Sequence, residues 1–518
     1  MSTESKPEFG RVRSLFWPVY RNELKVFIPM LLIFFLINFN YTILRIAKDT
    51  LVVTAKASGA AAIPFLKTWA ILPMALLMTY LFTRLSNRFH TERVFYLMTG
   101  LFLGFFLLFG FVIYPLHDSL HPHALADRLE AFLPEGCRGF ISIFRNWTFT
   151  AFYVMAELWG TAIMAVLFWG FANEITSVHA ARRFYGILCL AGNLSGVVSG
   201  EASTWISLLG KSGVCGSAGD PWGSSLMITS LVTVAAGIII VALFRYMHTT
   251  VLTSSSDGTF HFKADASTIK MSIRENFAYL ARSKYLVCIA VIMLTYHIAI
   301  NLTEVVWKDQ LNMLCPDPND YQAYSGNVVM AIGVVSTLIG LFCSSIIRTF
   351  NWTVSAMITP VIVLVTGVGF FSFLLLKGFG AHALAFGATP LALGVFFGSM
   401  QNCLCRASKY TLFDATKELA FIPLSRECKL KGKAAIDGVG SRLGKSGSAV
   451  IYQFLLMFLG SLSATIPYVA LIMLVVVAAW MIAVRSLGKQ FNALTAQGAA
   501  LRIPEPAPQA EAEMLRQT

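Results

Sequence analysis

The chain is predicted to be an all-α integral membrane protein, with about twelve transmembrane helices in two six-helix halves. Three observations carry that prediction. Of 518 residues, 56% are hydrophobic and only 13% charged, with mean hydropathy +0.67; soluble domains carry about 25% charged residues. Apolar runs of about 20 residues, the length that crosses a bilayer, recur along the whole chain. The chain also reads as a doubled pattern around a polar stretch, 247–284, "HTTVLTSSSDGTFHFKADASTIKMSIRENFAYLARSK".

Taken in order, the first run, 26–47, is greasy from Phe27 to Leu44 and then meets Arg45, Lys48 and Asp49. The second, 63–83, opens on "IPFLKTWAILP", which sets Lys67 about a turn inside. The third, 94–115, has no charge at all, whereas the fourth, 140–171, has Glu157 at its centre in "YVMAELWGTAIM". Runs 183–209 and 224–246 complete the first half. The seventh, 285–306, ends in "NLTEVVWKDQL", carrying Glu304 and then Lys308-Asp309, 260 residues after Lys48-Asp49. Two apolar runs follow, 326–347 and 353–376. The tenth, 384–411, is long and polar, with Gln401, Asn402 and Lys409. The eleventh, 431–460, holds Lys445 between Gly444 and Ser446-Gly447, and 464–485 is the last. A second echo of the doubling pairs "FANEIT" at 171–176 with "TKEL" at 416–419.

The expected organisation is therefore a tail, 1–25; a first half, 26–246; a linker, 247–284; a second half, 285–485; and a tail, 486–518. About 28 Lys and Arg fall in the tails and even-numbered loops and about 7 in the odd-numbered ones, which by the positive-inside rule puts both termini in the cytoplasm. The N-terminal stretch lacks the apolar core of a signal peptide. A net charge of +13 on a chain this apolar points to basic cytoplasmic loops and an anionic substrate, not to nucleic acid. The nine cysteines are scattered, with no metal-site spacing. No catalytic group, metal or cofactor is expected. "GVGSRLGKSGS" resembles a phosphate-binding loop, but Val439 stands where its first glycine belongs and no strand precedes it.

A charge at mid-bilayer costs roughly 2.5–3.5 kcal/mol on insertion scales and marks a functional site by default. Arg45 and Lys67 have an alternative, snorkelling to the surface, and Glu304 has another, a simple pair with Lys308 one turn on. Glu157 lies too deep to snorkel. Together, bases from spans one, two and eleven can converge on a polyanion, with acids from spans four and seven as counterions. Arg45, Lys48, Lys67, Glu157, Glu304, Lys445, Gln401 and Asn402 are the candidate substrate-binding residues, and Tyr41, Trp69 or Trp159 the candidates to stack on a base. A membrane enzyme acting on a lipid-linked phosphate would need a general base or metal cluster, which the sequence does not display.

The segments "NELKVFIPM", "NYTILRIAKDTLVVTAKASGA", "IPFLKTWAILP", "RNWTFTAFYVMAELWG", "FWGFANEIT", "NLTEVVWKDQL" and "SKYTLFDATKELAFIPLSRECKLKGKAAIDGVGSRLGKSG" resemble the nucleotide transporter family, the ATP/ADP translocases of plastids and obligate intracellular bacteria, and chlamydia-like members most. The resemblance covers about residues 8 to 490. It implies a fold similar to the major facilitator type and an importer that exchanges or takes up nucleotides such as ATP and ADP across a bacterial inner membrane; a monomer is expected. Its substrate is a nucleotide and its solvent a lipid bilayer. The resemblance also implies that the charges matching Lys67, Glu157, Glu304 and Lys445 matter for transport. Where many strict exchangers read Arg-Asp-Thr-Lys-Asp, this chain reads Arg45-Ile46-Ala47-Lys48-Asp49. One acid is thus missing, and the alternative is a proton-driven importer of ribonucleoside triphosphates.

Overall fold

The structure, a computed structural model, describes residues 17–21, 23–176, 178–213, 220–251, 283–378, 389–424, 436 and 441–500. Among them there is no strand. The first six long helices are α1 (Leu24–Val53), α2 (Ala62–Arg88), α3 (Thr91–Ile113), α4 (Trp147–Ile175), α5 (Val178–Lys211) and α6 (Pro221–Thr249). The second set comprises α7 (Lys284–Leu314), α8 (Pro318–Thr349), α9 (Trp352–Gly378), α10 (Pro390–Ser408, continued by Asp414–Ala420), α11 (Ser441–Leu459) and α12 (Leu462–Ala500). Nine of the described helices are long and apolar enough to cross a membrane; α5, α10 and α11 carry more polar residues. The chain is thus a multi-pass membrane protein.

Helix starts follow local chemistry. The α6, α8 and α10 helices each begin with a proline at the first turn behind a side-chain cap: Asp220 accepts from the Gly223 amide, Asp317 from Asn319 and Asp320, and Thr389 from Ala392. Proline costs nothing where the amide has no helical partner, and the cap satisfies the amides that follow. Three differences from the sequence expectations matter. The α1 helix does not stop at its charges but continues to Val53, so Arg45, Lys48 and Asp49 belong to its interior. The segment before α4 is not membrane span but a folded cap of short helices, His123–Phe132 and Arg138–Arg145 among them. Buried Arg145 ties that cap together through Asp127 at 2.6 Å and Glu130 at 2.8 Å. At the other end of the chain, α12 extends past 485 to Ala500.

Five of the described helices change pitch. Two of the π stretches, Phe109–Ile113 in α3 and Met247–Val251 at the end of α6, lie away from the candidate charged residues. The other three lie beside them and occupy Leu66–Ile71 in α2, Gly160–Phe168 in α4 and Lys409–Phe413 between the two parts of α10. A π turn accommodates an extra residue and re-aims its neighbours, and such turns cluster at functional sites. These three contain Lys67, follow Glu157 by three residues and follow Arg406 by three.

Each half has its own apolar core, one built from α1 to α6 and one from α7 to α12. Val53, Ala60, Ile63 and Phe65, from the end of α1 and the start of α2, pack into the second core. The halves also meet along α5 and α8, where two glycines let the backbones touch. A Cβ on Gly200 would lie 2.4 Å from the Gly326 carbonyl oxygen, and one on Gly326 would lie 2.7 Å from that of Gly200. Lys211 closes the end of this seam on Asp320 at 2.6 Å. Gly200→Ala is expected to destabilise the protein by about 1–3 kcal/mol, because both obstacles are backbone and neither can rotate away; thermal unfolding in detergent would register it.

The cap carries its own titratable cluster. His121 is buried between His117 and His123, with Nε2 2.6 Å from the Thr148 hydroxyl. Burial, reinforced by the neighbouring histidines, pushes its pKa down to about 4. The unfolded chain therefore binds this proton more readily, and stability should fall as pH drops from about 6.5 toward 4. Unfolding curves over that window should show the fall, and His121→Gln should flatten it.

Candidate functional site

The site is a chain of charges that runs from one half to the other. On α1, Arg45, Lys48 and Asp49 share a face, because residues three and four apart on a helix lie side by side. On α7, Asn301, Glu304 and Lys308 do the same. Lys48 Nζ lies 3.3 Å from Glu157 Oε2 of α4 and 3.2 Å from Asp49 Oδ1, over the Tyr153 ring at 3.6 Å. The other oxygen of Asp49 receives Lys308 Nζ at 2.8 Å across the boundary between the halves. Lys308 also reaches Glu304 Oε1 at 3.0 Å, and the same oxygen takes the Arg406 guanidinium of α10 at 2.8 Å. Six ionised side chains from four helices are thus linked in series.

The arrangement is graded in depth. The side chains of Lys48 and Lys308 are 4% and 6% exposed, that of Glu157 33%. Removing one partner from a buried pair leaves an uncompensated charge at a cost of about 3–5 kcal/mol, so Asp49 and Lys308 hold the halves together at this level. Beyond them, toward the ends of α1 and α7, Thr50 to Val53 and Leu311 are buried. The same end is sealed elsewhere. Gln453 of α11 donates to the Pro64 carbonyl and to Thr68 of α2, both at 2.9 Å, and accepts from the Trp69 indole. Gly136 of the cap lies so close to α11 that a Cβ there would be 2.5 Å from Met457 Cα.

A cleft opens beside the ion chain. Arg45, Ile46, Asp49, Glu304, Lys308, Tyr321, Asn402 and Arg406 are among its lining residues. Of the residues singled out from the sequence, Arg45, Glu304 and Asn402 line it directly, and Lys48 and Glu157 join it through Asp49. Lys67 joins through α7, its ammonium donating to Asn301 Oδ1 at 2.7 Å, one turn before Glu304. Gln401 is buried beside Gly367 of α9 and does not line the cleft. The Lys445 side chain lies outside the described residues. Glu304 makes the one-turn pair with Lys308 on its own helix and also pairs with Arg406 on another. Trp159 is not free to stack, being fully buried with its indole N–H donating to the Ile37 carbonyl.

Arg406 and the cross-half role of Asp49 and Lys308 were not anticipated. Arg406 carried a usable signal, since an arginine inside a span is a functional candidate on cost alone. Lys409, three residues on, pairs with Asp414 at 3.3 Å. The pairing of Asp49 with Lys308 joins residues 259 apart in sequence, and nothing local encodes it.

Two helical bundles meeting around buried ion pairs and an open charged cleft form a membrane protein with a fold of major-facilitator type. The solved structures it resembles have that fold. A nucleoside transporter, NupG, aligns with TM-score 0.51 at 13% identity over 91% of this chain and 99% of that one. A bacterial homologue of the iron transporter ferroportin in an inward-facing state aligns at 0.53 and 15%, over 90% and 98%. The sequence is more specific: residues 2–491 match the TLC ATP/ADP transporter family model, and the chain belongs to that family. It is 46% identical over 502 residues to ADP,ATP carrier protein 1 of Chlamydia pneumoniae, covering 95% of this chain and 96% of the relative. It is 43% identical over 475 residues to the chloroplastic ADP,ATP carrier protein 1 of Arabidopsis thaliana, covering 92% and 75%.

Proposed function

We infer that this transporter exchanges ATP and ADP by alternating access, with the nucleotide phosphates held in the charged cleft between its halves. The observation that carries this reading is an excess of cations. Arg45, Lys48, Lys67, Lys308 and Arg406 meet only three carboxylates in the ion chain, Asp49, Glu157 and Glu304. Arg45 and Lys67 have no carboxylate partner among the described residues. Buried cations need counterions, and a polyphosphate supplies several at once with acceptor geometry that suits Arg and Lys. Glu157, Glu304 and Asp49 hold the paired bases while the cleft is empty. Lys445 is assigned to the same site by resemblance.

With both termini in the cytoplasm, the sealed end faces outward and the cleft opens inward, in the cell membrane of a bacterium. One chain supplies both halves of the site, so a monomer suffices. Exchange is favoured over proton-driven import because the relatives carry ADP,ATP carrier names. Ile46, which replaces an acid in many exchangers, is a buried wall of the cleft and leaves the basic groups in place. The test is uptake of labelled ATP by proteoliposomes loaded with ADP or left empty, with and without a proton gradient. Uptake that needs internal ADP and ignores the gradient supports exchange; uptake into empty vesicles that a protonophore abolishes overturns it.

A further inference from the structure

Arg406 ends the ion chain inside the cleft, and its position gives it a second task. Its guanidinium and the Lys308 ammonium share one oxygen, Glu304 Oε1, at 2.8 and 3.0 Å. Lys308 is at the same time the cation that binds Asp49 of the other half at 2.8 Å. The charge that Glu304 presents to Lys308 therefore depends on whether Arg406 is beside it. Arg406 lines the cleft together with Arg45. A guanidinium has five donors in a planar fork, so it can turn from a carboxylate oxygen to the two oxygens of a phosphate. It sits three residues before the π turn Lys409–Phe413, which interrupts regular α-helical packing on that side.

We propose that Arg406 binds a substrate phosphate and that its departure from Glu304 is the event that unlatches Lys308 from Asp49. This rests on the exchange reading above and adds the step that makes exchange obligatory. In the empty carrier, Arg406 neutralises Glu304, and Lys308 stays on Asp49. When a phosphate takes Arg406, Glu304 is left with Lys308 as its nearest cation and draws it away from Asp49, so the sealed end is released. Without nucleotide the latch stays shut and the empty carrier does not return. Only binding that differs between the two states can shift their balance, and the shared Glu304 oxygen provides that difference.

The test compares wild type, R406Q and R406K in proteoliposomes, reading ATP uptake into ADP-loaded and into empty vesicles. Wild type should favour loaded vesicles by roughly tenfold or more, within the usual range of coupling between sites. In R406Q, Glu304 pulls on Lys308 permanently, so the ratio of loaded to empty uptake should fall toward one while KM for ATP rises. R406K keeps the charge but loses the fork. Its ratio should be preserved and its KM raised roughly tenfold. A purely structural role for Arg406 would lower the rate and leave the ratio intact. R406Q with the wild-type ratio, or R406K with the wild-type KM, overturns the proposal; the R406K result decides if R406Q does not fold. A wild-type protein indifferent to internal ADP would instead defeat the exchange reading beneath it.

Discussion

Lys308→Gln is expected to lower ATP/ADP exchange by about 100-fold or more. Lys308 is buried and serves two acids, Asp49 at 2.8 Å and Glu304 at 3.0 Å. Its removal leaves both carboxylates short of a counterion in a low-dielectric site, a penalty of about 3–5 kcal/mol. Asp49→Asn should be nearly as severe for the converse reason, since Lys308 and Lys48 both lose an oxygen partner. The combined variant is the informative one. If the two residues act as one latch, D49N/K308Q should be no worse than K308Q alone, because it removes both charges together. Exchange rates normalised to the protein inserted in the vesicles would reveal it; effects that simply add would mean that the pair does not act as a unit.

Lys67→Gln should be comparably damaging, by a different route. Lys67 has no acid partner among the described residues, and its hydrogen bond to Asn301 at 2.7 Å joins α2 of one half to α7 of the other. Its charge is thus available to a phosphate. Loss of a charge-assisted contact made in the transition between states should cost about 100-fold in kcat/KM. Thermal stability should change little, because no buried acid is stranded. Asn301→Ala, which keeps the ammonium and loses only its tether, should cost about tenfold. If the asparagine variant proved the worse of the two, Lys67 would be a structural strut and not a phosphate ligand.

How far these residues could be read from sequence follows from what a membrane penalises. Arg45, Lys48, Glu157 and Glu304 were legible because an ionised group among apolar neighbours is expensive wherever it points. Pairing was legible only within a helix, as for Glu304 and Lys308 one turn apart. The link between Asp49 and Lys308 depends on how the two halves dock, which periodicity does not encode. Gln401 shows the same limit from the other side: adjacent to Asn402 in sequence, it faces α9 while Asn402 lines the cleft, and a helix turns about 100° per residue. The π turns beside Lys67, Glu157 and Arg406 shift that register further, so a wheel drawn from the sequence misplaces the residues that follow them. In sequence Lys48 and Asp49 look like the terminus of α1; paired with Glu157 and Lys308, they are interior.

A structure of the protein with ADP bound would test most directly whether the charged cleft is a phosphate site that controls its own seal. The phosphates should lie within about 3 Å of Arg45, Lys67 or Arg406, as charge-assisted hydrogen bonds require, with Arg406 withdrawn from Glu304. Nucleotide bound elsewhere, or bound in the cleft with the Arg406–Glu304 pair undisturbed, would contradict the account.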